Sequence, residues 1–171
     1  MINSKTIKMR YVEESDAEFI LKLRLDERYN QFLSQVNADL ESQRNWIKDY
    51  KKDESNKKQF YFIIERLDGT PCGTVRVYDL RDYSFCWGSW ILNEDKTRYS
   101  AIESALMVYD FGFNTLNFKE SHFDVMKDNI KVVNFHKKFG AQETSEDDCN
   151  YYFKITKEAV QESRNRFKGI L

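Results

Sequence analysis

SFCWGSWILNEDKTRYSAIESALMVYDFGFNTLNFKESHFDVMKDNIKVVNFHKKFGA, residues 84–141, is the stretch that decides the fold. Its opening residues are rich in aromatic side chains, which indicates a strand, and the polar segment after them predicts a loop. Ser100 and Glu103 then have the S-x-x-E spacing of a capping box, in which two side chains satisfy backbone amides at a helix start. Apolar residues recur at three- and four-residue spacing from there to Leu116, so we predict an amphipathic helix over 100–116.

The rest of this stretch repeats the order of a strand followed by a helix. Residues 121–126 predict a second strand, and residues 129–139 predict a short helix that ends at Gly140, a residue type common just after helices. In such a β-α-β-α unit the first helix is a crossover, so the two strands are expected to lie side by side in one sheet.

The start of the first helix offers an anion site. A helix N-terminus presents unpaired backbone N–H groups and the positive end of the helix dipole, an arrangement that suits phosphate or pyrophosphate. Lys96 and Arg98, just before the helix, add positive charge. The alternative is an ordinary capped helix, because most such helix starts bind no ligand.

A family resemblance adds to these patterns. Residues 129–141, NIKVVNFHKKFGA, are similar to the segment N-x-x-(A/S)-x-x-(F/L)-(Y/H)-x-K-(L/F)-G-F of the GNAT superfamily of acyl-CoA-dependent N-acetyltransferases. The resemblance extends from Thr6 to Phe153, and the pattern is most similar to ribosomal-protein-type and nucleotide-amino-sugar N-acetyltransferases. It implies an enzyme that uses acetyl-CoA as a co-substrate and no metal.

The family's pyrophosphate loop, (Q/R)-x-x-G-x-(G/A), falls on residues 96–101 and departs from that pattern. Lysine stands at the first position, tyrosine stands where a glycine is usual, and only the last position fits. Backbone amides bind phosphate whatever the side chain, so the resemblance implies a modified loop that still binds. The residues expected to bind the cofactor here are Lys96, Thr97, Arg98, Tyr99, Ser100 and Ala101.

The resemblance also places the rest of acetyl-CoA. It implies that the cofactor enters where the strand that ends at Ile91 and Leu92 splays away from the strand over 123–125, with the pantetheine arm paired to the backbone of both residues. Phe135 lies in the motif that packs beside the acyl-thioester end of the cofactor. Asn129 is expected either to bond the pantetheine arm or to cap its own helix.

The order of the elements agrees with this family. Patterns along the chain predict β, α, α, β, β, β, α, β, α and two last strands, over 142–146 and 150–156, before a C-terminal helix over 157–168. We therefore expect the α/β (α+β) class, as a GNAT fold with a mixed, twisted sheet of about six to seven strands, helices on both faces and a splayed central strand pair. The whole chain, 1–171, is expected to form one domain.

Amide formation needs a neutral amine and a proton for the leaving thiolate. His136 stands where the family often has a tyrosine as that acid; the alternative, which we prefer, is that His136 packs in the interior. His122 and Asp124, two residues apart on one strand, share a face, and either is a candidate base if that face lines the acceptor cleft. If the face meets a helix, Asp124 is buried and needs a partner. Asp79 is a further candidate base.

The acceptor is expected to bind against the first two helices and the segment between them. The pattern L-R-x-D, then F-L-S, then a helix with a tryptophan resembles GNAT members that acetylate nucleotide-linked amino sugars for surface glycans. Arg24 and Arg44 are candidates to contact the diphosphate, and Phe32 or Trp46 to stack on a ring. Alternatively, Trp46 belongs to the core and both arginines form surface ion pairs.

Two other functions stay open at this point. One is a protein N-terminal acetyltransferase of the ribosomal-protein type, which shares the architecture. The other is a non-catalytic GNAT-like module that binds a partner, because a tyrosine stands in the phosphate loop.

Composition limits the partners and the compartment. Lysine plus arginine number 27 against 28 for aspartate plus glutamate, so no global charge favours nucleic acid or an anionic membrane. Apolar runs are shorter than the ~20 residues of a membrane span, and the first residues lack a signal-peptide core. Cys72, Cys86 and Cys149 lack metal or disulfide spacing, which fits a reducing compartment. We expect a cytoplasmic enzyme, monomer or homodimer, that acts on a small-molecule amine.

Overall fold

One mixed sheet runs through the structure, a computed structural model that describes residues 1–169. Its eight strands are β1 (Ile2–Asn3), β2 (Ile7–Tyr11), β3 (Phe60–Arg66), β4 (Pro71–Tyr78), β5 (Ser84–Leu92), β6 (Glu120–Met126), β7 (Gln142–Glu146) and β8 (Asn150–Thr156). They lie in the order β1-β2-β3-β4-β5-β6-β8-β7, and each neighbouring pair is antiparallel except β5 and β6. The expected strand number missed β1, because two residues are too few to show a pattern.

Helices lie on both faces of this sheet. Those within residues 1–169 are α1 (Ala17–Leu25), α2 (Leu40–Ser55), α3 (Ser100–Asp110), α4 (Ile130–Phe139) and α5 (Lys157–Arg166). A 3-10 turn over Glu14–Asp16 precedes α1, and a π-helical turn over Phe111–Thr115 extends α3. None of the helices in this described part is long and apolar enough to cross a bilayer.

The alternation of β3 explains why the helices lie on both faces. Side chains along a strand point alternately to the two faces of the sheet. Tyr61 and Ile63 therefore pack in one buried cluster with side chains of α1 and α2. Phe60, Phe62 and Ile64 point the other way, into the larger cluster that α3, α4 and α5 cover. Both faces of the sheet are thus buried at this strand.

The parallel strands β5 and β6 diverge, as the resemblance implied. They pair only through Ser84 and Phe85, the first two residues of β5, and no further pairing joins them within the described chain. The far end of β5, at Ile91 and Leu92, is paired with β4 on one side and has an open edge on the side of β6. An open strand edge presents backbone donors and acceptors to a ligand.

A bulge in β5 lies next to this opening. Arg76 of β4 faces Gly88, whereas Thr74, two residues away, faces Ile91, so β5 holds one extra residue at this point. Ser89 within the bulge has a φ of +48°, a left-handed conformation that non-glycine residues rarely adopt. Bulges bend a strand and often lie beside functional sites.

The capping box predicted at Ser100 and Glu103 is wrong. The N-cap position of α3 is Tyr99, and its side chain makes no capping hydrogen bond. The Glu103 carboxylate instead accepts hydrogen bonds from the Ser4 hydroxyl, at 2.9 Å, and from the Thr6 backbone amide, at 2.7 Å. A contact across the fold has thus replaced the local one, which leaves the helix start uncapped.

Candidate active site

The start of α3 presents four backbone amides without a partner. The loop before it is closed by hydrogen bonds from the Lys96 amide to the Asn93 carbonyl, 3.1 Å, and from the Ser100 amide to the Thr97 carbonyl, 3.2 Å. The next amides, those of residues 98, 99, 101 and 102, donate to no acceptor in the described part of the chain. Such amides at the positive end of a helix dipole form an anion site. This geometry supports the predicted pyrophosphate loop.

The side chains of this loop have different roles from its backbone. Ser100 is fully buried, and its hydroxyl accepts a hydrogen bond from the Thr97 amide at 2.8 Å, so both side chains hold the loop together. Lys96 and Arg98 are exposed and add positive charge beside the open amides. Of the predicted contacts, those of Arg98, Tyr99 and Ala101 therefore have open backbone amides, whereas the amides of Thr97 and Ser100 close the loop.

Tyr99 fits its position without strain. Its φ is −110°, an angle that any residue adopts, so this loop does not need the glycine of the family pattern. The Arg98 guanidinium lies 5.2 Å from the centre of its ring, within the range of a cation–π contact. The departure from the pattern thus leaves the backbone amides open.

The resemblance places the pantetheine arm at the open edge of β5, next to α4. Trp90 of β5 packs at this place: the indole N–H donates to the Ser104 hydroxyl at 3.1 Å, and the ring packs against Phe135 with a centroid distance of 5.1 Å. Asn129 stands at the N-cap of α4, yet its side chain caps no amide. Of the two roles considered for Asn129, capping is not realised, and its carboxamide remains available for the pantetheine arm.

His136 lies inside a cage of aromatic rings. Only 4% of the residue is exposed, and the centroids of Phe123, Trp87 and Phe135 lie 4.3, 5.4 and 5.6 Å from the centroid of its ring. Its Nδ1 atom is buried without a hydrogen-bond partner in the described chain. Burial lowers the pKa of His136 to about 3, because the cage disfavours the charged form. A neutral imidazole favours the packing role over that of a general acid.

His122 has both ring nitrogens engaged. Nε2 lies 2.9 Å from an Asp79 carboxylate oxygen, and Nδ1 contacts the Ser84 hydroxyl. Since a carboxylate only accepts, Nε2 carries the proton and Nδ1 accepts from Ser84. Hydrogen bonds from His122, and then from Arg81, lower the pKa of Asp79. His122 and Asp79 therefore stabilise each other where β5 and β6 still pair, and both ring nitrogens of His122 are occupied. The hydrogen bonds to Asp79 all go to one carboxylate oxygen, so Asp79 stays a candidate base.

Asp124 also stays open as a candidate base. Its strand neighbours Phe123 and Val125 are buried, whereas Asp124 points to the opposite face and is exposed. The alternative of a carboxylate buried under a helix is thus excluded. Burial raises the pKa of Tyr78 and of Cys86, the latter to about 11, and the nearby charge of Asp124 adds to both shifts. Asp124 shares its face of β6 with His122, which contacts Ser84, and Ser84 shares its face of β5 with Cys86, the pairing partner of Tyr78. Asp124 therefore lies on the same face of the sheet as these side chains, here called the open face.

A cleft of about 360 Å³ lies on the same side of the sheet as α1 and α2. Of the residues that the structure describes, two arginines and no aspartate or glutamate line it. The Nε atoms of Arg24 and Arg76 and the Tyr61 hydroxyl are buried and have no hydrogen-bond partner within residues 1–169. The lining residues are Arg24, Ser34, Gln35, Val36, Asn37, Ser42, Gln43, Trp46, Tyr61, Arg76 and Ser89.

The cleft contains two of the four predicted acceptor residues. Arg24 donates to the backbone carbonyl and the hydroxyl of Ser34, both at 2.8 Å, so it also fixes the segment between α1 and α2. Trp46 is 38% exposed and stacks on Tyr50 with the rings 9° from parallel, so it borders the cleft and is not part of the core. Arg44 and Phe32 do not line the cleft, and their contact with the acceptor stays a prediction.

Sequence reasoning missed three residues of this cleft, Tyr61, Arg76 and Ser89. Arg76 gave a usable signal, because it is a charged residue between the buried valines at 75 and 77 in a strand. A charge in such a position needs a partner or a ligand. Ser89 gave no signal, since a bulge depends on the register between two strands.

Comparison with known proteins identifies the family of this chain. The model of the family described as Acetyltransferase (GNAT) domain matches residues 6–142. The chain belongs to this family. It is therefore an N-acetyltransferase, and GNAT acetyltransferases use acetyl-CoA, which fits the four open amides and the open edge of β5. No curated protein matches the chain.

Solved structures agree with the family. FdhC, described as a nucleotide-linked sugar GNAT, is 50% identical over 98% of this chain and 96% of its own, with a TM-score of 0.90. Ribosomal-protein-S5-alanine acetyltransferase from Vibrio fischeri is 13% identical over 91% and 95%, with a TM-score of 0.78. A mutant of spermidine N-acetyltransferase SpeG from Vibrio cholerae is 17% identical over 94% and 97%, with a TM-score of 0.74. The last two likenesses show the fold alone.

In this GNAT enzyme, His136→Phe is expected to leave kcat within a few-fold, because the neutral ring packs and does not donate a proton. The variant should also resist acid better. The pKa of His136 lies below its ordinary value of 6.5, so the unfolded chain takes up this proton first. The neutral His136 therefore costs the wild type no folding stability above pH 6.5, and the wild type loses stability as the pH falls from there towards about 3. Thermal unfolding of the wild type and the variant between these pH values measures this difference in acid stability. A fall in kcat of about 100-fold in the variant would instead show that His136 is the general acid.

Proposed function

We propose that this GNAT enzyme acetylates the amino group of a nucleotide-linked sugar, with acetyl-CoA as the donor. The observation that carries the proposal is the charge of the acceptor cleft. Arg24 and Arg76 line it, each with a buried and unpartnered Nε donor, and no carboxylate from the described residues lines it. A buried donor without a partner is costly, so a ligand that accepts these hydrogen bonds gains affinity.

The phosphate oxygens of a diphosphate are well suited to accept hydrogen bonds from these guanidinium groups. Guanidinium groups bind phosphate oxygens through short, charge-assisted hydrogen bonds. The exposed ring of Trp46 at the border of the cleft can stack on a base or a sugar. The nucleotide-linked sugar activity in the description of FdhC, which shares half of its residues with this chain, supports the same acceptor class.

Cationic acceptors fit this cleft poorly. A polyamine or a peptide N-terminus carries positive charge at pH 7, and two guanidinium groups without a carboxylate repel it. The polyamine and ribosomal-protein enzymes share only the fold with this chain, so their similarity does not support a polyamine or a peptide as the acceptor here. Family membership, in turn, argues against a non-catalytic binding module.

For the chemistry, we assign the base to Asp124. Arg76 and Tyr78 share a face of β4, and the Arg76 guanidinium lies 4.2 Å from the centre of the Tyr78 ring. Tyr78 pairs with Cys86 of β5, which shares its face with Ser84, and Ser84 contacts His122 on the face of β6 that also bears Asp124. The cleft and the carboxylate therefore belong to one open face. There Asp124 takes a proton from the ammonium group of the acceptor. Acetyl-CoA supplies the thioester: the amine nitrogen bonds to its carbonyl carbon, the carbon–sulfur bond breaks, and the sulfur takes up a proton.

An acceptor panel tests the proposal. Purified enzyme and acetyl-CoA are incubated with uridine- and thymidine-diphosphate-linked amino hexoses, spermidine and an alanine-initial peptide, and the release of coenzyme A is followed. We expect turnover with at least one nucleotide-linked amino sugar and none above background with the other two. Turnover confined to the peptide or to spermidine would contradict the proposal.

A further inference from the structure

A chain of hydroxyl groups joins the N-terminal segment to the pyrophosphate loop. The hydroxyls of Ser100 and Thr97 lie 2.7 Å apart, and those of Thr97 and Thr6 lie 2.6 Å apart. The Thr6 hydroxyl then contacts the carboxylate of Glu103, which is 1% exposed. Thr6 lies in the turn before β2, so the two ends of this chain are far apart in the sequence.

Chemistry fixes the direction of these hydrogen bonds. A carboxylate only accepts, so the Thr6 hydroxyl donates to Glu103. A hydroxyl has a single proton, so Thr97 must donate to Thr6, and Ser100 must donate to Thr97. Every proton in the chain therefore points towards the buried carboxylate.

This direction has a consequence for the ligand. The hydroxyls of Thr97 and Ser100 have no proton left for a phosphate oxygen, so the open amides of residues 98, 99, 101 and 102 are the backbone donors that remain, beside the exposed side chains of Lys96 and Arg98. Their usefulness depends on where the loop holds them, because a preorganised donor set binds better than a mobile one. Thr97 is the loop residue that the chain ties to the rest of the fold.

We propose that Thr6 and Glu103 are positioning residues for the coenzyme A pyrophosphate. They act through Thr97 and Ser100 on the backbone amides, so the turn before β2 belongs to the cofactor site. The negative charge of Glu103 also lies in the first turn of α3, where it complements the helix dipole. This inference rests on the use of acetyl-CoA by the family and not on the identity of the acceptor.

Thr6→Val tests the proposal, since it removes the hydroxyl and keeps the shape of the side chain. The dissociation constants of acetyl-CoA and of S-acetylpantetheine, which lacks the pyrophosphate, are measured by ligand titration without any acceptor. We expect Thr6→Val to weaken acetyl-CoA by about tenfold and to leave S-acetylpantetheine unchanged. Thr6→Ser restores the hydroxyl and should restore binding.

Two further variants keep the result decisive. Thr97→Val breaks the chain at a half-exposed position and should give the same selective loss even if Thr6→Val folds poorly. Thr144→Val removes a hydroxyl on β7 that donates to the Tyr152 carbonyl, and it should change neither constant. Equal weakening of both ligands by Thr6→Val and Thr97→Val, or wild-type acetyl-CoA binding in both, would overturn the proposal.

Discussion

Replacing Asp124 by asparagine is expected to lower kcat by about 10²- to 10⁴-fold, the usual size of a general base contribution. The substitution keeps the size of the side chain and removes its ability to take a proton from the acceptor ammonium. Because Asp124 is exposed on the open face of the sheet, the variant should fold as the wild type does. Initial rates at saturating acceptor and acetyl-CoA measure the effect.

His122→Gln is the matched control for this experiment. His122 lies two residues away on β6, and Asp79 and Ser84 occupy its ring nitrogens. We expect kcat to stay within a few-fold of wild type and only the thermal unfolding midpoint to fall. A large loss of kcat in His122→Gln together with an active Asp124→Asn would reverse the assignment of the base.

Arg24→Ala and Arg76→Ala are each expected to raise the KM of the acceptor by about 10- to 100-fold, the range for a hydrogen bond to a charged group. Both residues offer buried donors to the cleft. The KM of acetyl-CoA should stay unchanged, because its anion site at the start of α3 uses other residues. Steady-state kinetics with each substrate varied in turn measure both constants.

Arg44→Ala is the matched control for these two variants. Arg44 is an exposed arginine of α2 outside the cleft, and its loss should leave both constants unchanged. Arg76→Ala is the sharper of the two tests, because Arg24 also holds the segment at Ser34 in place. If Arg44→Ala raised the KM of the acceptor and Arg76→Ala did not, the sequence-based choice of arginines would be the better one.

The periodic parts of this fold could be predicted from the sequence. The aromatic and β-branched run of β3, the apolar stripe of α3 and the glycine after α4 are local features that the sequence displays directly. The splayed pair of β5 and β6 followed from the family motif, and the structure confirms it.

Contacts between distant residues could not be predicted in the same way. Glu103 has the spacing of a capping residue, and nothing nearby in the sequence indicates that Thr6 takes its carboxylate instead. Arg76 joins Arg24 in one cleft only because β4 runs beneath the segment that follows α1. Asp79 similarly reaches His122 across the sheet, and this contact occupies one of the two ring nitrogens of His122.

The most direct test of the central claim compares one amino sugar with and without its nucleoside diphosphate. The value of kcat/KM is measured for the nucleotide-linked amino sugar that is most active in the panel and for the same free amino sugar. Each measurement is repeated with Arg76→Ala. We predict that the wild type prefers the nucleotide-linked form by about 100-fold or more and that Arg76→Ala loses most of this preference. Equal use of both forms by the wild type, or a preference that Arg76→Ala retains in full, would contradict the account.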